Sequence, residues 1–156
     1  MNLQALFESL EQSPLGEGIR QSVWLFPAIE AVHLLALALL GGAVLMLDLR
    51  LLGLGLVEEA PSTIERQTRP WLIGAVLAMV TTGALLFLSE ALKLYGKEAF
   101  WVKMAALAAV LVFTFCVRNP VARRDPAVGA LSRSVALVSL ALWFTIAAAG
   151  RWIGFS

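Results

Sequence analysis

The sequence has 156 residues, of which 60% are hydrophobic and 15% are charged, and its formal net charge is +1. This composition excludes an ordinary water-soluble domain, and the near-neutral charge gives no basis for nucleic-acid binding. The single cysteine excludes an intrachain disulfide and a metal motif of paired cysteines. Several apolar runs of about 20 residues are long enough to cross a hydrocarbon core of about 30 Å, so the chain is a membrane protein.

Residues 2–12 form the first periodic segment. Leu3, Leu6, Phe7 and Leu10 fall on one helical stripe, which predicts a short amphipathic helix at the membrane surface. The breaking sequence at residues 13–16, Ser-Pro-Leu-Gly, should end it.

Four apolar segments follow, at approximately residues 22–48, 71–94, 99–118 and 130–153. Continuous runs of this length predict helices, which satisfy their own backbone hydrogen bonds in lipid. The sequence therefore predicts an all-α integral membrane protein, a bundle of four transmembrane helices with a short N-terminal amphipathic helix. We expect residues 1–156 to form a single membrane domain whose surroundings are the lipid bilayer.

Three local signals predict where helices begin and end. Ser62 with Glu65 three residues later has the pattern of a capping box, which starts a helix. Pro120 should end the third span, because proline has no backbone N–H to donate. Asp125 before Pro126 should cap the last helix.

The basic residues predict the orientation of the bundle. Seven arginines lie in or beside loops one and three, whereas five basic residues lie on the opposite side. Because cytoplasmic loops are enriched in Lys and Arg, we expect loops one and three in the cytoplasm of a bacterial inner membrane. Both chain termini then face the periplasm.

The first span carries more ionisable residues than a lipid-embedded helix needs. Glu30, His33 and Asp48 fall within an arc of about 80° that also contains Gly41, as expected for a face directed into a bundle. An ionisable group inside a span indicates a functional site. We expect Asp48 and Arg50 to lie at the cytoplasmic interface. Glu30 and His33 should lie in the half of the first span nearer the opposite membrane surface.

Antiparallel helices place further ionisable residues at the level of Glu30 and His33. These are Glu90 at the end of the second span, Lys103 one turn into the third, and Arg151 near the end of the fourth. Simpler roles are open to each: Lys103 and Arg151 can extend to lipid headgroups, and Glu90 can pair with Lys93 at the surface.

His33, the only histidine, lies about ten residues inside the first span, too deep to reach the headgroups. Three roles remain open for its imidazole. It is a structural side chain satisfied by Glu30 or a backbone carbonyl, a ligand, or a proton carrier.

The first span also carries a family resemblance. Residues 27–33, Pro-Ala-Ile-Glu-Ala-Val-His, together with Gly41-Gly42 and residues 48–52, Asp-Leu-Arg-Leu-Leu, resemble a group of uncharacterised bacterial four-helix inner-membrane proteins. Gly150-Arg151-Trp152 is also typical of that group.

A more distant resemblance is to the copper-resistance protein D superfamily, which includes a membrane-bound, haem-associated protoporphyrinogen oxidase. His33, Gly42, Arg50-Leu51 and the Trp101-Val102-Lys103 segment are similar to positions of that superfamily. The oxidase type has a further histidine late in the third span, where this chain has Phe-Cys-Val-Arg at residues 115–118. A haem held by two histidines of one subunit is therefore impossible.

Three functions remain open. The first is a membrane redox or metal-linked protein, of oxidoreductase-like character, that holds haem b or copper at His33. Glu30 would then orient the imidazole, and Lys103 and Arg151 would suit haem propionates. The second axial ligand would be Lys103, a methionine, water or a residue of a partner subunit.

The second function is a proton-coupled transporter component in which Glu30, His33 and Lys103 line a cavity. The third is an accessory or scaffold subunit in which Glu30 pairs with Lys103 or Arg151. For each of them we expect a homo-oligomer or a larger membrane complex.

Overall fold

The structure is a computed structural model, and it describes residues 3–153. All of the regular structure in that range is helical, which confirms the predicted fold class. The helices are α1 (Leu3–Glu11), α2 (Pro14–Gln21), α3 (Leu25–Leu52), α4 (Pro61–Ser89), α5 (Ala91–Tyr95), α6 (Glu98–Phe113), a π-helical turn (Thr114–Arg118), α7 (Asn119–Ala122) and α8 (Ala130–Ile153).

Within the described range, four helical segments are long and apolar enough to cross a membrane: α3, α4, the continuous run from α6 to α7, and α8. The membrane-spanning stretches have 28, 29, 25 and 23 residues, and the last of them is Ala130–Trp152 within α8. At 1.5 Å per residue even the shortest spans about 34 Å, more than the hydrocarbon core. The chain is therefore a multi-pass membrane protein.

α3 is the central helix of the bundle, since it packs against both α4 and α8, and α6 packs against α8. Three apolar clusters lie along the bundle. One surrounds Leu47 and Leu51, a second surrounds Leu40 and Val44, and a third contains Phe7 of α1. Phe7 packs its ring edge-on against Phe87, with the ring centroids 5.3 Å apart, and so holds α1 against the end of α4.

The predicted break at residues 13–16 ends α1 but also starts α2, which the sequence analysis did not predict. The Ser13 hydroxyl accepts a hydrogen bond from the Gly16 N–H at 3.2 Å and caps the new helix, with Pro14 at its first position. A Cβ atom at Gly16 would lie 2.5 Å from the Leu88 carbonyl oxygen. This close approach of α2 to α4 requires glycine.

The predicted capping box at Ser62 and Glu65 is wrong, and so is the predicted role of Asp125. The backbone N–H and hydroxyl of Ser62 both donate to the Asp125 carboxylate, at 2.8 and 2.9 Å. Glu65 instead pairs with Arg123 at 2.7 Å. Asp125 therefore caps α4 rather than the helix that follows it, because the third loop folds back onto the start of α4.

The third span also differs from its predicted limits, because the helix continues past Pro120. The turn Thr114–Arg118 is π-helical, and the Asn119 N–H donates to the Thr114 carbonyl five residues earlier. Pro120 then falls in the first turn of α7, where a missing N–H is tolerated. The second span differs too, since α4 begins at Pro61 and the chain bends at Glu90 into α5.

Substitution of Asp125 should reveal its role as the cap of α4. Asp125→Ala loses both hydrogen bonds to Ser62 and keeps a left-handed backbone, φ +47°, that alanine disfavours. We expect the free energy of unfolding to fall by about 1–2 kcal/mol, measured by titration with denaturing detergent. Asp125→Asn keeps an acceptor oxygen and tolerates that backbone, so its loss should be smaller. Equal stability of the two variants would contradict the assignment.

Candidate functional site

A polar site lies between the spans near the start of α3. His33, which is half-buried, is placed with its Nδ1 2.7 Å from the hydroxyl oxygen of Thr82 on α4. Beside them, a Cβ atom at Gly83 would lie 3.4 Å from the imidazole Cε1, so glycine lets the ring approach the α4 backbone. We call this site, completed by Lys103 and Gly150, the His33 centre.

The Thr82 hydroxyl determines which imidazole nitrogen carries the proton. Its Oγ1 lies 2.6 Å from the Ala78 carbonyl oxygen, which can only accept, so the single hydroxyl proton goes there. Thr82 Oγ1 must then accept from His33, and Nδ1 is the protonated nitrogen. The lone pair of the neutral ring is therefore on Nε2, and Nε2 is the atom able to bind a ligand.

Lys103 brings a positive charge to the same centre from α6. Its side chain is half-buried. The Nζ atom lies against α8, 3.6 Å from the position that a Cβ atom at Gly150 would occupy. Among the described residues no carboxylate pairs with this ammonium group. An acidic ligand group would therefore find a cation at this level of the bundle.

The other residues predicted at this level lie farther out. Glu30 is exposed, and within residues 3–153 it takes part in no hydrogen bond or ion pair, so Thr82 rather than Glu30 contacts the imidazole. Glu90 pairs with Lys93 at 3.0 Å at the surface, as its simpler role predicts. Arg151 follows Gly150 directly and has an exposed side chain.

A second polar site, which we call the Asp48 centre, lies near the other end of α3. Asp48 accepts from Nε of Arg118 at 2.6 Å and from the Ser139 hydroxyl at 2.7 Å. Arg118 also donates to the carbonyl of Val44 at 2.8 Å and to the side-chain oxygen of Asn119 at 3.2 Å. Exposure is 0% for Asp48 and 1% for Arg118, so the ion pair is fully buried.

The predicted position of Asp48 at the membrane interface is therefore wrong. Its helical face was a usable signal, since Asp48 shares an arc with His33 and Gly41, and that face is directed inward. Arg50 does lie near the end of α3, and its Nε donates to the carbonyl of Glu59 in the loop that follows. Arg118 was missed because its position before Asn-Pro is typical of a loop.

An apolar layer separates the two centres. His33 and Asp48 are 15 residues apart on α3, or about 22 Å along the helix. Leu40, Ala43 and Val44 of α3 pack between them against Leu72 and Ala75 of α4. Within residues 3–153, no continuous line of polar side chains therefore joins the two centres.

A groove of about 500 Å³ runs along α3 and α8, beginning one turn beyond His33. Its walls are apolar and include Leu37, Gly41, Leu140, Trp143 and Phe144. Phe144 is 76% exposed, so the groove opens on the outside of the bundle. Its volume lies in the range of about 300–1,000 Å³ that is usual for small-molecule sites.

The donor set around His33 is small. Within residues 3–153 no three side chains of His, Cys, Asp or Glu lie close enough to hold a metal ion together. Cys116 is exposed on the π-helical turn, toward the opposite end of the bundle. His33 therefore contributes a single nitrogen ligand.

The match to a known family covers both centres and all four spans. A family model described as a family of unknown function, DUF6644, matches residues 6–156. The chain belongs to the DUF6644 family. No curated protein and no solved structure matches it. Membership in DUF6644 agrees with the predicted resemblance to an uncharacterised family and assigns no activity.

Replacement of Thr82 by valine tests the assigned tautomer. Thr82→Val keeps the shape of the side chain but removes the acceptor for the Nδ1 proton, so we expect a mixture of the two neutral tautomers. The protein has one histidine, so ¹⁵N NMR of histidine-labelled protein reports on His33 alone. Thr82→Ser, which restores the hydroxyl, should restore the Nδ1-protonated form. An Nε2-protonated ring in the unmodified protein would contradict the assignment.

Removal of the Asp48 carboxylate should leave Arg118 buried without a counter-charge. We expect Asp48→Ala to lower the free energy of unfolding by about 3–5 kcal/mol, the usual cost of breaking a buried ion pair. Tryptophan fluorescence during detergent-induced unfolding gives the measurement. Glu58→Ala, which removes an exposed carboxylate, is the control and should change stability by no more than about 0.5 kcal/mol. The double variant Asp48→Ala/Arg118→Leu should be less destabilised than the sum of the two single variants.

Proposed function

We propose that this protein is a membrane-embedded haem b protein of redox function, with Nε2 of His33 as an axial ligand of the iron. The observation that carries the proposal is the hydrogen bond from His33 Nδ1–H to Thr82. A ligating histidine usually donates its other ring N–H to an acceptor, which fixes the tautomer and the orientation of the ring. Thr82 supplies that acceptor here.

The donor set favours haem over copper or another bare metal ion. A bare ion usually takes three or four protein ligands, whereas His33 is a single nitrogen donor in the described part of the chain. A porphyrin supplies four ligands itself, so one or two protein ligands are sufficient. Copper at His33 remains the alternative cofactor.

The remaining features would hold the macrocycle. The apolar groove between α3 and α8 begins at Leu37, one turn beyond His33, and would offer an apolar surface for a porphyrin. Lys103 would neutralise a propionate, and Arg151, one residue after Gly150, is the second candidate for that role. Haem b would supply one-electron chemistry when bound, while Thr82 orients the imidazole that would hold it.

The resemblance to the copper-resistance protein D superfamily supports the same proposal through His33 and Lys103.

We further propose that the protein lies in a bacterial inner membrane with both chain termini in the periplasm. Arg118 and Lys103 lie within the bundle, so the count of basic residues becomes six on the α3–α4 loop side against four on the other. The His33 centre would then lie in the periplasmic half, and a second copy or a partner could supply the other axial ligand.

The two alternative functions have less support. A proton-coupled transporter needs a polar path, and an apolar layer lies between the His33 and Asp48 centres. A scaffold held by ion pairs of Glu30 has no such pair among the described residues.

The visible spectrum of the purified protein tests the proposal. The protein should be prepared with a tag that contains no histidine, from cells replete in haem and copper, so that His33 is the only imidazole. We expect a Soret band and about one haem per chain. His33→Ala should lose the band, because no other histidine can replace the ligand.

Cys116→Ser is the matched control, because it changes an exposed potential haem ligand at the far end of the bundle and should leave the spectrum unchanged. A colourless, metal-free preparation would overturn the proposal. pH-dependent flux into liposomes that requires His33 would then identify a transporter. A stoichiometric amount of copper without a Soret band would instead identify copper as the cofactor at His33.

A further inference from the structure

The Asp48 centre contains two buried polar atoms that lack a hydrogen-bond partner among the described residues. They are Oγ1 of Thr114 and Nδ2 of Asn119. Both residues are 1% exposed. An unpaired buried polar atom costs about 1–3 kcal/mol, and native proteins keep few of them. Two such atoms in one region therefore indicate a ligand.

The π-helical turn places these two residues together. The Asn119 N–H donates to the Thr114 carbonyl, so the wider turn stacks residue 119 over residue 114. Arg118, four residues after Thr114, lies on the same buried face. The backbone of the π-helical turn therefore places the two unpartnered side chains on the same buried face, in successive layers of the turn.

The orientation of the Asn119 amide follows from its contact with Arg118. A guanidinium group has only donors, so the amide oxygen must be the atom that faces Nη1, at 3.2 Å. The opposite orientation would set two donors against each other. The NH₂ group of Asn119 is thus fixed as the unpartnered donor.

The ligand must be neutral, and it must accept a hydrogen bond from Asn119 while it either accepts from or donates to Thr114. Asn119 Nδ2 only donates, whereas the Thr114 hydroxyl can donate or accept. The adjacent charges of Asp48 and Arg118 cancel at 2.6 Å, so the region has no net charge to attract an ion. Water meets these requirements, and buried waters typically have two to four polar partners.

We propose that the π-helical turn holds one buried water molecule that bridges Asn119 Nδ2 and Thr114 Oγ1 beside the Asp48–Arg118 pair. The water satisfies the two atoms that the protein leaves unpaired. It also gives the π-helical turn a local role: a regular α-helical turn would rotate Asn119 away from Thr114 and open the bridge. The site is independent of any cofactor at His33.

An experimental structure at a resolution that shows ordered water provides the direct test, on the unmodified protein in a lipid environment. We expect a density peak within hydrogen-bond distance of both Thr114 Oγ1 and Asn119 Nδ2. Absence of that peak, with both side chains placed as described, overturns the proposal. So does a direct hydrogen bond between the two side chains.

The variant Thr114→Val gives an independent test, because the sign of its effect depends on the water. Valine matches threonine in shape, so removal of an unsatisfied hydroxyl should raise the unfolding midpoint, whereas removal of a bridged hydroxyl should lower it. We expect a lower midpoint in detergent titration. Thr145→Val, at an exposed position of α8 where the hydroxyl bonds only to the Ala141 carbonyl, is the matched control. A midpoint for Thr114→Val at or above that of the control overturns the bridge.

Discussion

The buried ion pair between Asp48 and Arg118 is the interaction on which the bundle depends. It joins α3 to the π-helical turn, and the Ser139 hydroxyl extends it to α8. Neither charge could remain in this apolar position without the other, because an isolated buried charge costs several kcal/mol. One carboxylate therefore links three spans, since it contacts both the guanidinium of Arg118 and the hydroxyl of Ser139. α4 packs against α3 through apolar side chains, and Ser62 with Asp125 and Glu65 with Arg123 connect its first turns to the third loop.

The two polar centres differ in how many of their charged and hydrogen-bonding groups have partners within the protein. In the Asp48 centre both charges and most hydrogen-bonding groups have protein partners, as expected of a structural core. In the His33 centre the imidazole is oriented by Thr82, while Nε2 and the Lys103 ammonium are left for other partners. An ionisable group inside a span that lacks such a partner lowers the stability of a membrane protein. The difference favours the His33 centre as the functional one.

The sequence was sufficient to predict the number of spans, the fold class and the inward position of His33 and Asp48, because apolar length and helical periodicity are local properties. Partners on other helices are not local. Arg118 could not be matched to Asp48 without knowing that the helix passes through Pro120, and the π-helical turn has no recognised sequence pattern. Thr82 gave no signal, since a threonine in an apolar helix commonly bonds to its own backbone. The cap at Asp125 was assigned to the nearer helix because local rules ignore loops that fold back.

The groove along α3 and α8 opens sideways, through walls that include the exposed Phe144, rather than toward either end of the bundle. A molecule can therefore enter it directly from the bilayer. Its occupancy then depends on the concentration in the membrane, which for an apolar compound exceeds the aqueous concentration by orders of magnitude. A modest intrinsic affinity is therefore enough to fill the groove in a native membrane. The lipid composition around the protein therefore acts on the groove directly, because the hydrocarbon chains of the bilayer compete with any other apolar molecule for the same walls.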